Sequence, residues 1–180
     1  MEVQTEKNDD FHSEDFVTQT AYNSFGIKYL YPWQRLVVAN ILEAYEYQKN
    51  ISDYEEVRDE DDSFCKGRQI VLLPTGAGKS LCFQLPALIL DGPTLVIYPL
   101  LALMSDQQRR MQEGCLRSVI FRGGQSREER RENFRLIGEG AQIILANPED
   151  LQSEELLEEL KTVNIKHIAI DEAHCCSEWG

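Results

Sequence analysis

From Pro32 to Tyr47, apolar residues recur at Trp33, Leu36, Val37, Ile41, Ala44 and Tyr45, the spacing of a helix with one buried face. Pro32 suits its first turn, where a missing N–H goes unnoticed. The period then breaks. Gln48–Lys66 carries Asp53, Glu55, Glu56, Asp59, Glu60, Asp61 and Asp62 among few apolar residues, which predicts a solvated loop. After Gly67, short β-branched runs alternate with longer helical ones. Gln69–Leu73, Thr94–Tyr98, Ser118–Phe121, Gln142–Ala146 and Lys166–Ile170 read as strands, several apolar on both faces, as in a buried parallel sheet. The helices between them have legible ends. Asp91-Gly92-Pro93 stops the first and Gly114 the second; Ser126-Arg127-Glu128-Glu129 forms a capping box for the third, and Pro148 precedes the fourth. Strict alternation implies right-handed crossovers and a doubly wound α/β sheet, which binds ligands at the carboxyl ends of its strands.

A length of 180 residues, 42% of them hydrophobic, is enough for one core and too little for two ordinary domains. The polar, acidic stretch 1–24 reads as a disordered terminus, leaving 25–180 as the folded unit with an acidic insertion at about 48–66. The longest apolar run, Leu81–Leu90, is interrupted by Gln84 and Pro86 and is shorter than the roughly 20 residues of a membrane span. The first residues lack a secretory signal, so the expected location is the cytoplasm, or the nucleus in a eukaryote, with no membrane partner. Five cysteines without C-x-x-C spacing point to reduced thiols rather than disulfides or zinc.

A net charge of −13 argues against a polyanionic partner only until its distribution is considered. Residues 1–66 hold 15 acids and 6 bases, whereas between Arg109 and Arg135 eight arginines face four glutamates. That segment is either a solvated helix face of Glu–Arg pairs or a surface that approaches phosphates.

The strongest chemical signal is Pro74-Thr75-Gly76-Ala77-Gly78-Lys79-Ser80, between a predicted strand and a predicted helix. Gly76 and Gly78 let backbone amides wrap a phosphate, Lys79 adds a point charge for the β and γ phosphates, and Ser80 a hydroxyl for Mg²⁺. The full G-x-x-x-x-G-K-[ST] pattern has Gly where this chain has Leu73. A second site follows the last predicted strand, at Asp171-Glu172-Ala173-His174. Asp171 would hold the metal through its water shell, since Mg²⁺ takes few protein ligands, and Glu172 would orient or deprotonate the attacking water. These residues together indicate a nucleoside triphosphatase; the DEAH run disfavours a P-loop kinase.

Residues Pro74 to Ala87 resemble motif I of the RecQ family of superfamily 2 DNA helicases, and Asp171 to Gly180 resemble its motif II running into an aromatic-rich loop. The resemblance extends, with gaps, from about Phe25. It implies a RecA-like P-loop fold, an ATP-dependent 3′-to-5′ DNA helicase, ATP and Mg²⁺ as cofactors, and single-stranded or junction DNA as partner. Thr75, Gly76, Ala77, Gly78, Lys79 and Ser80 would bind nucleotide, with catalysis shared by Lys79, Asp171, Glu172 and His174, the last coupling the γ-phosphate site to the motor. Pro99-Leu100 is similar to the start of motif Ia, and Asn147-Pro148 to motif Ib with Asn in place of Thr; with Arg122 and Trp179 they would contact DNA. Phe25 to Gln34 aligns with the adenine-reading motif, where Gln34 is retained, the stacking aromatic has become Ile27 and the Arg has become Tyr31. Tyr31 is the expected replacement stack on the base.

The resemblance also implies what the 180 residues do not hold: a motif III strand between those of motifs I and II, and a second RecA-like domain with arginine fingers. The expectation is an incomplete first motor domain that binds Mg-ATP but does not unwind DNA alone, with apolar strand faces left exposed. The alternatives are a nucleotide-gated binding module that never hydrolyses and a non-functional fragment.

Overall fold

The computed structural model describes residues 13, 15–51, 67–99, 101–113 and 116–178. Four short strands, β1 (Thr94–Ile97), β2 (Ser118–Ile120), β3 (Ile143–Ala146) and β4 (His167–Ile170), pair in parallel in the order β2-β3-β1-β4. In-register pairs include Val96 with Leu145 and Val96 with Ala169. Among the described residues six helices accompany them: α1 (Phe16–Phe25), α2 (Pro32–Ile51), α3 (Leu81–Ile89), α4 (Leu101–Glu113), α5 (Arg127–Gly138) and α6 (Glu154–Lys161).

Alternation along the strands feeds two cores, one on each face of the sheet. Val96, Tyr98, Ile143 and Leu145 pack with Phe83 and Ala87 of α3 and with Met104 and Met111 of α4. Leu95, Val119, Ile144 and Ala146 pack with Ile137 of α5 and with Leu156 and Leu160 of α6. Burying each such Leu, Ile or Val contributes about 1.5–3 kcal/mol, so the apolar runs have one low-energy arrangement, with a helix layer on both sides. This is the RecA-like α/β fold. The predicted capping box is present at Ser126 and Glu129, each side chain bonded to the other's backbone N–H.

Two expectations need correction. The stretch 1–24 was expected to be disordered, yet α1 occupies its last residues. Asp15 caps it by accepting from the amides of Val17 and Thr18, and ion-pairs with Arg35 of α2 at 2.9 Å. Gly26, at φ +68°, ends it, with Gly26 N donating to Tyr22 O and Ile27 N to Ala21 O. Ala21 then packs with Leu30, Val38 and Leu85 in a third cluster joining α1, α2 and α3.

Second, Gln69–Leu73 is not a strand. Ile70 and Leu72 are 91% and 89% exposed, and β4 ends the sheet with Ile168 and Ile170 at 59% and 49%. A strand is made by its neighbour's hydrogen bonds, and none of the described strands pairs with this segment. Of the predicted loop Gln48–Lys66, the first residues are helical, because α2 runs on to Ile51. Residues 1–12, 52–66 and Gly114 lie outside the described residues. No helix among the described residues is long and apolar enough to cross a membrane.

His167 opens β4 with its ring Nδ1 3.5 Å from Thr94 Oγ1. Burial pushes its pKa down to about 4. Between that value and the ordinary value of about 6.5, the unfolded chain holds a proton that the folded chain does not. Stability is therefore full above about pH 6.5 and falls on acidification, by at most about 1.4 kcal/mol per pH unit from this group. Urea midpoints at pH 7, 6 and 5 should show this slope, and His167→Gln should flatten it; an equal slope in both proteins would rule the contribution out.

Candidate nucleotide site

Between Leu73 and α3 the chain makes the turn that the glycines foretell. Ala77 N donates to Pro74 O at 3.2 Å, and Gly76 and Gly78 sit at φ +81° and +73°. At Gly78 a side chain would also collide with the Gln34 amide. The N–H groups of Gly78, Lys79 and Ser80 take no acceptor among the described residues, and they lead directly into the N-terminus of α3. Three such amides with a helix terminus behind them form an anion cradle. Ser80 occupies the cap position, but its hydroxyl makes no capping bond.

The acidic residues arrive from β4. Asp171 N donates to Ile97 O at 3.0 Å, continuing the β1–β4 ladder by one step. Asp171 thus faces the same side of the sheet as Ala169, toward α3. Burial raises its pKa above the ordinary carboxylate range; the charge of Glu172 adds to the rise, and the Lys79 ammonium opposes it. Lys79 and Asp171, remote along the chain, therefore share one local field. Asp171 Oδ1 accepts from Glu172 N at 3.0 Å.

Glu172 has φ +50°, a left-handed conformation that costs a non-glycine residue on the order of 1 kcal/mol or more. Its carbonyl accepts from Cys175 N at 2.9 Å, closing a turn that turns its carboxylate toward His174, whose Nδ1 lies 3.3 Å from Glu172 Oε2. Among the described residues, no three His, Cys, Asp or Glu side chains gather into a metal cage. A magnesium ion carried on phosphates does not require one. One carboxylate and one hydroxyl, here Asp171 and Ser80, fit its preference for oxygen ligands and retained water.

The adenine-reading residues are placed differently from expectation. Gln34 is 2% exposed; its Nε2 donates to Ala77 O and Gly78 O at 3.3 and 3.1 Å, and its Oε1 accepts from Tyr31 N at 3.0 Å. Both ends of the amide are thus committed, Nε2 to the Ala77–Gly78 turn and Oε1 to the backbone that leads into α2. Tyr31 stacks on Trp33, with centroids 4.6 Å apart, and meets Tyr29 edge-on. One face of the expected base platform is therefore covered by Trp33. Trp33, by its spacing a residue of the helix face, also donates its indole N–H to Ala77 O at 3.2 Å. A bond spanning more than forty residues leaves no trace in local periodicity.

Of the expected DNA-facing residues, Pro99, Arg122, Asn147 and Pro148 follow β1, β2 and β3 at the sheet's carboxyl edge, the edge that also carries Asp171. Asn147 does not offer its side chain at the surface as expected. It is 2% exposed, and its Oδ1 accepts from Asp150 N at 2.7 Å to cap the turn that follows. Leu100 and Trp179 lie outside the described residues. Three arginines of the arginine-rich segment are ion-paired among the described residues: Arg109 binds Asp106, Arg130 binds Glu155, and Arg135 binds Glu132 and Glu139. Cys82 is buried and unbridged, its thiol pushed up to about 11 by burial, and Cys175 likewise forms no disulfide.

The DEAD/DEAH box helicase family matches residues 32–180. Among curated relatives, the ATP-dependent DNA helicase RecQ of Bacillus subtilis is 41% identical over 61% of this chain and 19% of its own length. The RecQ of Synechocystis is 41% identical over 62% of this chain and 24% of the relative. An ATP-dependent helicase of Saccharomyces cerevisiae is 31% identical over 96% of this chain and 12% of the relative. The chain thus spans no more than a quarter of the length of these relatives.

Proposed function

Because the chain belongs to the DEAD/DEAH box helicase family, as a RecQ-type member, we propose that it is the ATP-binding half of the first motor domain of a 3′-to-5′ DNA helicase. The observation that carries this reading is the pairing of an amide-lined turn at the start of α3 with a carboxylate, Asp171, that leaves β4 on the sheet face packed against α3. The open amides of Gly78, Lys79 and Ser80, the Lys79 ammonium and the Ser80 hydroxyl would hold the triphosphate with its magnesium, and Asp171 would hold the metal's water shell. Bound there, the metal supplies neutralising charge between the phosphates. Glu172, held in its strained turn beside His174, aligns the attacking water and takes its proton.

Gln34 and Trp33 keep the loop shaped for this by bonding its carbonyls rather than its amides. Single-stranded DNA would cross the carboxyl edge of the sheet over Pro99, Arg122 and Pro148, with Asn147 supporting the turn from beneath. The Gln69–Leu73 segment, which pairs with none of the described strands, and the exposed isoleucines of β4 support a sheet completed by a further strand, as the family's motif III would provide. A second RecA-like domain would bring arginine fingers, which can contribute about 10³–10⁵ in rate.

Single-turnover ATP hydrolysis by the full-length protein, with and without single-stranded DNA, tests the reading. DNA-stimulated hydrolysis is expected. Tight nucleotide binding with no hydrolysis under either condition would make the protein a gated binder and overturn the proposal.

A further inference from the structure

Tyr98 follows β1 and is 1% exposed, yet its hydroxyl has no hydrogen-bond partner among the described residues. Its ring is fixed: the backbone N donates to Ala146 O at 2.9 Å, and the ring meets Phe83 of α3 edge-on at 6.5 Å. Since Ile97 pairs with Ile170, Tyr98 stands next to Asp171 in the following register position, on the same face of the sheet. Burial pushes the phenol's pKa up, and the Asp171 and Glu172 carboxylates push it further, so those two charges reach the hydroxyl. The phenol and the Asp171 carboxylate are close enough to act on one another, yet the hydroxyl makes no bond that meets hydrogen-bonding geometry. Leaving a buried hydroxyl without a partner is destabilising, and such a group beside a reaction centre calls for a role.

We propose that Tyr98 is a positioning residue for the magnesium carboxylate: its O–H donates to Asp171 once a nucleotide-bound cation draws that carboxylate into place, fixing the oxygen that faces the metal's water shell. The proposal rests on the assignment of Asp171 above. It makes the hydroxyl a liability in the empty protein and an asset in the loaded one, and the phenyl ring a spacer in both. Tyr98 also precedes Pro99, so the same side chain joins the expected DNA-facing edge to the metal carboxylate.

Tyr98→Phe keeps the ring and removes the oxygen. In the full-length protein, Mn²⁺ binding in the presence of a non-hydrolysable ATP analogue is followed by electron paramagnetic resonance, alongside melting of the nucleotide-free protein. The Mn²⁺ half-saturation concentration is expected to rise about tenfold, the size of one hydrogen bond to a charged acceptor, while the empty protein melts at the same temperature or higher. Unchanged half-saturation overturns the proposal. So does a lower melting temperature of the empty protein, which would make the hydroxyl a structural donor. Asp171→Asn separates the two levels: if it leaves Mn²⁺ binding intact, the metal assignment itself fails, whereas if it weakens binding and Tyr98→Phe does not, only the role of Tyr98 fails.

Discussion

Lys79→Ala is expected to abolish detectable ATP binding in isothermal titration while leaving the fold intact. Lys79 is half-buried at the start of α3 and its charge already acts on Asp171, so removal has two effects at the same place. The triphosphate loses a charge-assisted donor, worth about 1.5–3 kcal/mol. Asp171, a carboxylate already disfavoured by burial, loses the nearby cation that offsets it, and two negative groups then face one another. Together these correspond to a loss of about a hundredfold or more in affinity. Unchanged affinity would remove the phosphate-loop assignment and everything built on it.

Glu172→Gln is expected to leave Mg-ATP affinity within a few-fold of the parent and to lower single-turnover hydrolysis by about 10²–10⁴ in the full-length protein, the range for loss of a positioned general base. The amide keeps the size of the side chain and one acceptor for His174, but it cannot take a proton from water. Gln is also no better suited than Glu to φ +50°, so the backbone strain is matched and the comparison isolates the chemistry. Retained turnover would take Glu172 out of the water-aligning role.

The parts of the fold legible in the sequence are those encoded locally. Ile143–Ala146 and Thr94–Ile97 are apolar at every side-chain parity, so only burial on both faces satisfies them, and the structure buries both strands. Gln69–Leu73 has the same local character and fails, because strand formation requires a neighbour that no periodicity within the segment can report. For α1 the error ran the other way. Its polar, β-branched interior hides a helix whose real signals are its ends, Asp15 and Gly26, and whose stability comes from Arg35 and Leu85.

The site divides along the same line. Glycines at positive φ, the lysine and the serine are local requirements of an anion-binding turn and were readable. Gln34 and Trp33 bonding the loop's carbonyls, Asn147 turning inward and Tyr98 lying beside Asp171 are all products of tertiary packing. Charge pattern alone could not decide between the two readings of the arginine-rich segment; the Glu132, Glu139 and Glu155 partners supply the answer for Arg130 and Arg135.

The left-handed backbone at Glu172 places selection in opposition to itself. Drift to Gly or Asn there would relax the chain and make a sturdier protein, and on the water-aligning role proposed for Glu172 the same drift would silence the reaction. Hardy variants recovered from any screen for thermal endurance would therefore be enriched at this position for molecules that no longer turn over, so endurance and turnover must be scored together.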